Sequence, residues 1–444
     1  MPERRFLARR AWVAGRWQRD VLLVAADDGL WRELRAGADA QGAEVIEAPV
    51  LPGLVDAHSH AFQRAIAGLT ERAAAGREDF WSWRDRMYAA ALRITPGQLE
   101  AIAAFLYAEL LAAGYTQVCE FHYLHNDVDG KPYADAAEMS QALVRAAQRT
   151  GIGLTLLPTL YMRSGFGAPG LREDQRRFAS TPDSVLRIAQ HVPRSPRVTA
   201  GIALHSLRAV DEGALREAAQ AARDAGMPVH IHVAEQQQEV DDCLRAHRQR
   251  PIEWLLRNAS MDAGWNLVHA TQANASELQG VQRTGAAIVL CPSTEANLGD
   301  GVFDLPAWLA ARGTWSIGSD SHVTRSWSEE LRLLEYSQRL LLRRRNVAAA
   351  GAESTAAMLF EGALAGGSAA AGLPLAGLAT GQRADLCVID TDAPALAGIP
   401  DEQLLDALVF SSPALPMARV IVAGQDADLQ VPTKAFTGAM RALW

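Results

Sequence analysis

Residues 51–60 read Leu-Pro-Gly-Leu-Val-Asp-Ala-His-Ser-His, an apolar run that ends in two histidines one residue apart. Side chains at positions i and i+2 of an extended strand point to the same side, so His58 and His60 can direct two imidazoles at one point. Because both histidines end the apolar run, we expect that point to lie at the mouth of a buried strand. The pair predicts a metal site and sets the search for further ligands.

Three later apolar runs also end in titratable side chains. Each is rich in β-forming residues and bounded by turn residues, which predicts a fully buried strand. The runs are residues 227–235, 265–271 and 314–322. The titratable groups at or just beyond their carboxyl ends are His232, Glu235, His269 and Asp320. A single histidine in an apolar run is commonly a core residue, but that alternative accounts poorly for independent placements at several strand ends. Polar groups at strand carboxyl ends are typical of the active site of a (β/α)8 barrel.

The rest of the chain alternates between β and α patterns. Thr95-Pro96 opens a helix as cap and first-turn proline, and Gly114 closes it. Further strands are predicted over residues 115–123, 151–160, 198–205 and 286–293, and further helices over 135–149, 211–225 and 274–283. This alternation favours an α/β fold, a parallel (β/α)8 TIM barrel over residues 51–374. Residues 1–50 and 375–444 carry short β patterns and are each too short for a good core, so we expect both chain ends to form one small β-sandwich domain.

Composition agrees with a large globular enzyme. The chain has 444 residues and a formal charge of −8, which gives no electrostatic case for a nucleic-acid partner. Its cysteines show no close pairing, which suits a reducing cytoplasm. The amino terminus lacks the apolar core of a signal peptide, and charged residues interrupt the small-residue tract 348–379. These patterns predict a cytoplasmic protein with no membrane partner.

Over essentially its whole length the chain resembles the amidohydrolase superfamily. The resemblance rests on residues 52–60, followed in order by His232, His269 and Asp320. In that superfamily, histidines of barrel strands 1 and 5 and an aspartate of strand 8 bind the metal. By resemblance the ligands here are His58, His60, His232 and Asp320. The histidine of strand 6, here His269, stands near the metal, and Glu235 resembles the acid/base residue of the single-metal deaminases.

Lysine usage bears on the number of metal ions. Two-metal members commonly bridge their metals with a carboxylated lysine at the fourth strand, but the lysines of this chain are Lys131 and Lys434, neither near residues 198–205. A lysine-bridged pair is excluded, and one divalent metal ion is favoured. Histidine and aspartate ligands suit zinc, although iron(II) fits the same set.

These parts predict hydrolytic deamination at a C=N carbon. A bound divalent ion lowers the pKa of its water to about 7 and so supplies hydroxide at neutral pH. Asp320 can accept the proton of that water, His269 can hold the hydroxide and polarise the carbon, and Glu235 can protonate the departing nitrogen. The expected catalytic residues are Glu235, His269 and Asp320.

Candidate substrate-binding side chains follow the barrel strands. They are Gln63, Arg84, Tyr123, His205 and Arg208. An arginine fork matches a carboxylate in two parallel hydrogen bonds, so two arginines and a tyrosine imply a small substrate with one or two carboxylates. The alternative is that Arg84 pairs with Asp85 on a helix and that Arg208 is solvated.

Six segments resemble the formimidoylglutamate deiminase family of that superfamily. They are residues 56–64, 80–84, 119–126, 205–210, 232–239 and 291–301, the last reading Cys-Pro-Ser-Thr-Glu-Ala-Asn-Leu-Gly-Asp-Gly. The resemblance implies hydrolysis of N-formimidoyl-L-glutamate to N-formyl-L-glutamate and ammonia in histidine degradation, with the five candidate side chains holding the substrate. Relatives also suggest a homodimer.

Three alternatives stay open at this point. Another single-metal deaminase of the superfamily would act on a purine or a thioadenosine. A second alternative is an enzyme that acts on the same linear substrate but releases formamide and leaves glutamate. The third is a scaffold that kept the fold without catalysis.

Overall fold

The computed structural model describes residues 3–72, 80–411, 413 and 416–444. In these residues the strands are β1 (Arg4–Val13), β2 (Arg16–Ala25), β3 (Trp31–Arg35), β4 (Glu44–Ile46), β5 (Val50–Leu51), β6 (Leu54–Ser59), β7 (Tyr115–His122), β8 (Gly153–Leu160), β9 (Val198–Ala200), β10 (Ile202–Leu204), β11 (Val229–Val233), β12 (Trp265–His269), β13 (Ala287–Leu290), β14 (Trp315–Ile317), β15 (Leu386–Ile389), β16 (Met417–Val422) and β17 (Gln425–Asp426). The α-helices are α1 (Phe80–Ala91), α2 (Pro96–Ala113), α3 (Glu138–Thr150), α4 (Pro182–His191), α5 (Glu212–Asp224), α6 (Gln237–His247), α7 (Pro251–Asn258), α8 (Ala275–Thr284), α9 (Pro292–Leu298), α10 (Leu305–Ala310), α11 (Trp327–Leu342), α12 (Thr355–Ala371), α13 (Leu404–Phe410) and α14 (Thr433–Leu443). Within the described ranges, none of these helices combines the length and apolarity that a membrane crossing requires.

Parallel strands form the barrel predicted from the sequence. Their order is β6-β7-β8-β10-β11-β12-β13-β14, and β9 pairs with β8 as the first half of the fourth barrel strand. That strand breaks at Gly201, where an added Cβ would lie 2.5 Å from the backbone oxygen of Pro228. Helices alternate with the strands, so the (β/α)8 fold class is confirmed.

The barrel closes where the eighth strand meets the first. The amide of Asp320 donates to the carbonyl of His58 at 2.9 Å, and the amide of His60 donates to the carbonyl of Asp320 at 3.3 Å. The carboxylate of Asp56 accepts hydrogen bonds from the amide and the hydroxyl of Ser319 at 2.8 and 2.6 Å. This seam brings the carboxyl ends of the first and eighth strands together.

The two chain ends form a second sheet. Its strand order is β17-β16-β15-β5-β1-β2-β3, with β4 paired to β1. Side chains from both ends, among them Phe6, Trp31, Leu386 and Ile421, share one apolar cluster, so the small β domain expected from the flanks is confirmed. The carboxyl-terminal flank also contains α13 and α14, which its β patterns did not predict. Phe436 of α14 stacks on Phe105 of α2 with ring centroids 3.9 Å apart.

Element boundaries differ from the prediction where proline intervenes. Residues 51–60 are divided between the sheets, because Pro52 cannot donate to a strand ladder and β6 begins only at Leu54. The seventh barrel strand, predicted over residues 286–293, ends at Leu290, and Pro292 begins α9, for which it needs no amide hydrogen. Helix α2, by contrast, begins after the predicted cap Thr95 and ends at the predicted Gly114, whose φ is 96°.

Candidate active site

Three imidazoles and one carboxylate converge at the barrel seam. The Nε2 atom of His58 lies 3.1 Å from Nε2 of His60 and 3.0 Å from Nε2 of His232. The Oδ1 atom of Asp320 lies 3.5 Å from Nε2 of His58 and 3.4 Å from Nε2 of His60. All four side chains are buried. The structure therefore brings together the four ligands implied by the resemblance.

The protonation of these imidazoles is set by what lies behind them. Nδ1 of His60 lies 2.7 Å from the carbonyl of Phe121, and Nδ1 of His232 lies 3.0 Å from the carbonyl of His205. A carbonyl only accepts, so each Nδ1 carries the hydrogen and each Nε2 presents a lone pair. Burial, followed by the charge of His58, lowers the pKa of His60 to about 3. Burial also lowers the pKa values of His58 and His232, so all three rings are neutral.

This arrangement fits a divalent metal ion. His58 lies between His60 and His232 and can donate its Nε2 hydrogen to only one of them, so at least one of the two close contacts has no hydrogen between its electronegative nitrogens. A cation bound among the nitrogens removes the repulsion between them. Neutral imidazole is also the form that binds zinc and related metals, and Asp320 supplies the anionic oxygen.

His269 lies beside this cluster among three carboxyl groups. Its Nε2 is 3.6 Å from Oε1 of Glu235 and 3.7 Å from Oδ2 of Asp320, and its Nδ1 is 3.3 Å from Oε1 of Glu295. Burial lowers the pKa of His269, but the carboxylates outweigh it and raise the pKa to about 10. The imidazolium form can donate from both ring nitrogens at once. Burial has the opposite effect on Glu235 and raises its pKa above the ordinary value.

Two carboxyl groups near His269 were not assigned a role from the sequence. Glu295 also accepts the backbone amide of Cys291 at 2.9 Å, which fixes the oxygen that faces His269. Asp300 accepts a hydrogen bond from Gln236 through Oδ1, while its Oδ2 is buried with no hydrogen-bond partner among the described residues. Both belong to the quoted run 291–301. Residue types alone did not indicate a role for either carboxyl group, because the fold brings them close to His269, which is 26 or more residues away in the chain.

Two side chains of the site stand on strained backbone. His269 has φ 70° and Asp320 has φ 46°, a left-handed conformation that residues other than glycine seldom adopt. Hydrogen bonds hold both turns, from the amide of Ala270 to the carbonyl of Val233 at 3.1 Å and from Asp320 to His58 as described above. The strain turns these side chains from the strand ends into the cavity.

The five candidate substrate-binding residues line one cavity together with His60, His232 and Asp320 of the cluster. That cavity is bounded by His60, Gln63, Trp83, Arg84, Met87, Tyr88, Tyr123, His205, Arg208, His232, Glu235, His269, Leu298 and Asp320. Nε2 of Gln63 donates to the hydroxyl of Tyr123 at 3.1 Å, and the buried Oε1 of Gln63 has no partner among the described residues. Trp83, Met87, Tyr88 and Leu298 were not predicted to line it.

The structure shows the surroundings of the carboxylate and the arginine considered in the alternative. Asp85 forms an ion pair with Arg172, at 3.1 Å. Arg208 is only 8% exposed, so it is not a solvated side chain. Its loop is held by Arg163, which donates to the carbonyls of Leu207, Arg208 and Val210 at 2.9, 3.2 and 2.9 Å.

Comparisons with known proteins show which family the chain belongs to. A profile of the amidohydrolase family matches residues 50–426. Formimidoylglutamate deiminase from Pseudomonas aeruginosa is 47% identical over 423 residues, covering 94% of this chain and 93% of the relative. A 5-methylthioadenosine/S-adenosylhomocysteine deaminase from Halobacterium salinarum is 28% identical over 386 residues, covering 86% and 82% of the two chains.

Solved structures give the same result for the whole chain. The crystal structure of an amidohydrolase from Brucella melitensis superposes with a TM-score of 0.92 at 39% identity, with 99% of each chain covered. An adenosine deaminase from Xanthomonas campestris with bound zinc, at 20% identity, shares the fold with a TM-score of 0.81 and coverage of 99% and 97%. The chain therefore belongs to the amidohydrolase family and is a hydrolase that acts on C–N bonds, and within that family it is similar to formimidoylglutamate deiminase.

Proposed function

We propose that this protein hydrolyses N-formimidoyl-L-glutamate to N-formyl-L-glutamate and ammonia, as a step of histidine degradation. The observation that carries the proposal is one cavity lined both by His60, His232 and Asp320 of the cluster and by Arg84 and Arg208. The name of the Pseudomonas relative supports the same substrate. The ring substrates of the thioadenosine deaminases carry at most one carboxylate, that of S-adenosylhomocysteine, and would not require two arginines.

The proposed cofactor is one divalent metal ion, most simply zinc, with iron(II) as the second choice. His58, His60, His232 and Asp320 would hold it, as the close approach of the three Nε2 atoms supports. When bound, such an ion lowers the pKa of a water molecule to about 7 and acts as a Lewis acid.

The side chains around this site divide the proton transfers between them. Oδ2 of Asp320 accepts a proton from the attacking water, and the Nε2 hydrogen of His269 stabilises the oxygen that bonds to the carbon. Glu235 binds the protonated amidine, takes one of its hydrogens and returns it to the departing nitrogen. The second hydrogen of the former water then passes through Glu235 to that nitrogen as its third, the C–N bond breaks and ammonia leaves. The carbon keeps the oxygen as a formyl group, and Asp320 releases its proton to the solvent.

The rest of the cavity is proposed to hold the glutamyl part of the substrate. Arg84, Arg208 and the hydroxyl of Tyr123 match its carboxylates. The unpartnered Oε1 of Gln63 is an acceptor for the substrate N–H. His205 contributes a neutral donor, because burial and then Arg208 lower its pKa well below the ordinary range.

Product analysis on synthetic N-formimidoyl-L-glutamate tests this proposal. Zinc-loaded protein should release ammonia and N-formylglutamate in equal amounts, and protein treated with a chelator should release neither. Formamide and glutamate would identify the alternative cleavage. Deamination of a purine or thioadenosine, with no action on the linear amidine, would reject the substrate. Inactivity of metal-loaded protein on a broad amidine panel would support a scaffold.

We further propose that the protein is a cytoplasmic homodimer. Leu340 and Leu341 near the end of α11 are 83% and 60% exposed, which supports a contact surface of apolar character. One chain has a mass of 47.9 kDa, and light scattering on the purified protein should give twice that mass. A monomer at micromolar concentration would reject this assembly.

A further inference from the structure

A hydrogen-bonded trio forms part of the cavity wall. Tyr88 of α1, Tyr161 beyond β8 and Gln175 are all buried, and of the three only Tyr88 borders the cavity described above. Nε2 of Gln175 lies 3.0 Å from each tyrosine hydroxyl, and the two hydroxyls lie 3.1 Å apart. The amide of Gln175 cannot be reversed, because its Oε1 accepts the backbone N–H of Arg172 at 3.0 Å.

One of the two tyrosine hydroxyl hydrogens is not used in the hydrogen bonds within this trio. The amide nitrogen of Gln175 gives one hydrogen to each tyrosine oxygen, and the contact between the tyrosines uses one of their two hydroxyl hydrogens. If Tyr161 donates to Tyr88, then the oxygen of Tyr88 has accepted two hydrogen bonds and its own hydrogen points elsewhere. The cavity is the space into which that hydrogen can be directed, since Tyr88 borders it.

Two positive charges share the cavity with this hydroxyl pair. Arg84 and Arg208 line the same cavity as Tyr88, and the guanidinium carbon of Arg84 lies 5.4 Å from the ring centroid of Tyr88. The charges of both arginines also oppose the rise that burial causes in the pKa of Tyr161. A hydroxyl donor in a cavity with two guanidinium groups is suited to an anion.

We propose that Tyr88 is a further specificity-determining residue, whose hydroxyl donates a hydrogen bond to a substrate carboxylate while Tyr161 and Gln175 hold it in that direction. The inference rests on the proposed function for the identity of the substrate. The role of Tyr88 does not depend on the reacting group of that substrate, because it requires only that a carboxylate binds beside Arg84. Cooperative hydrogen bonding within the trio strengthens the donor.

Calorimetric binding of glutarate, a dicarboxylate with no reacting group, tests the donor without turnover. Tyr88→Phe should weaken the binding of glutarate about 10- to 100-fold, the loss expected for a hydrogen bond to a charged group. The matched control is Tyr133→Phe, since Tyr133 lies outside the cavity with its hydroxyl 3.4 Å from Nη2 of Arg177. This control should bind glutarate as the parent protein does. Equal binding by Tyr88→Phe and the parent would overturn the inference, and so would equal weakening in both variants.

Substrate analogues that lack one carboxylate provide the second readout. The formimidoyl derivative of 4-aminobutyrate lacks the α-carboxylate, and that of 2-aminobutyrate lacks the side-chain carboxylate. For each analogue, the KM of Tyr88→Phe is divided by the KM of the parent protein. This ratio should be near one for only one analogue, the one that lacks the carboxylate bound by Tyr88. A ratio that stays high for both overturns the inference. If the parent turns over no formimidoyl compound, the proposed function fails, while the glutarate measurement still decides the role of Tyr88.

Discussion

At the scale of single residues, carbonyl groups decide how the histidines present themselves. The carbonyls of Phe121 and His205 accept the Nδ1 hydrogens of His60 and His232, which turns both Nε2 lone pairs to the same point. Hydrogen bonds of this kind fix the tautomer and the orientation of metal-binding histidines. Neither carbonyl can be identified from residue types, because any residue has one. Spacing predicted the pairing of His58 with His60, and the family resemblance implied His232 and Asp320 as further ligands, but the protonation of the histidines needed the fold.

Replacing Glu235 by glutamine separates proton transfer from metal binding. Glu235 is 3.6 Å from His269 and is not one of the four proposed ligands. Glu235→Gln should keep the metal content of the parent protein and lose turnover by about 100- to 10,000-fold, the usual contribution of a general acid or base. Metal analysis and initial rates on N-formimidoyl-L-glutamate check both parts. The exposed Glu212 offers a matched control, Glu212→Gln, which should keep the parent rate. A near-normal rate for Glu235→Gln would contradict the role.

The pH dependence of kcat/KM should show the raised pKa of Glu235. Burial raises this pKa above the ordinary 4.5, and the role requires the carboxylate form. Activity is therefore present above the raised pKa and is lost as the pH falls through it, which sets the acid limb above 4.5. Rates between pH 4 and 9 measure the limb, with metal content followed in parallel to exclude loss of the ion. A limb centred at or below 4.5 would contradict the assignment.

At the scale of elements, capping residues were the most predictable feature. Thr95, Asp211 and Asn274 were read as helix starts and each accepts a backbone amide at a helix amino terminus. Their chemistry is local, so sequence suffices. Tyr88 and Gln175 were missed because their contact joins positions 87 residues apart. The division of residues 51–60 between two sheets was missed for the same reason, since strand pairing is a long-range property.

The seam between β14 and β6 depends on the absence of a side chain at Gly318. A Cβ there would lie 2.7 Å from the backbone nitrogen, the backbone oxygen and the Cβ of His58, none of which can move independently. Gly318→Ala should therefore lower the free energy of unfolding by about 1–3 kcal/mol and reduce metal occupancy, because His58 and Asp320 meet at this seam.

The control for this change is another glycine in open space. Gly438 of α14 has nothing within 4 Å of an added Cβ, so Gly438→Ala should be neutral or stabilise by up to about 1 kcal/mol. Urea unfolding and metal analysis of both variants make the comparison. Equal stabilities of the two variants, with full metal content, would contradict the close packing argued for the seam.

At the scale of the whole molecule, the small sheet and the barrel are joined by buried polar contacts as well as apolar ones. Arg383, just before β15, donates to Oε1 of Gln117 at 2.6 Å and to the carbonyl of Thr116 at 3.0 Å, both near the start of β7. It also pairs with Asp385 at 2.7 Å. The active-site groups lie at the opposite, carboxyl ends of the strands. The link between the sheets therefore supports the barrel from the end that carries no catalytic group.

Replacing Arg383 should lower the free energy of unfolding without changing the KM for the substrate. Arg383→Met leaves the buried carboxylate of Asp385 without its cation, which should lower the free energy of unfolding by about 3–5 kcal/mol. Arg419 offers the contrast, because its partners Glu44 and Asp426 are 46% and 49% exposed, so Arg419→Met should lower the free energy of unfolding by no more than about 1 kcal/mol. Urea titrations give both differences, and KM measured in the absence of urea should be the same in the two variants. A loss at Arg383 no larger than that at Arg419 would mean that water reaches Asp385, and the two sheets would then depend on their apolar contacts alone.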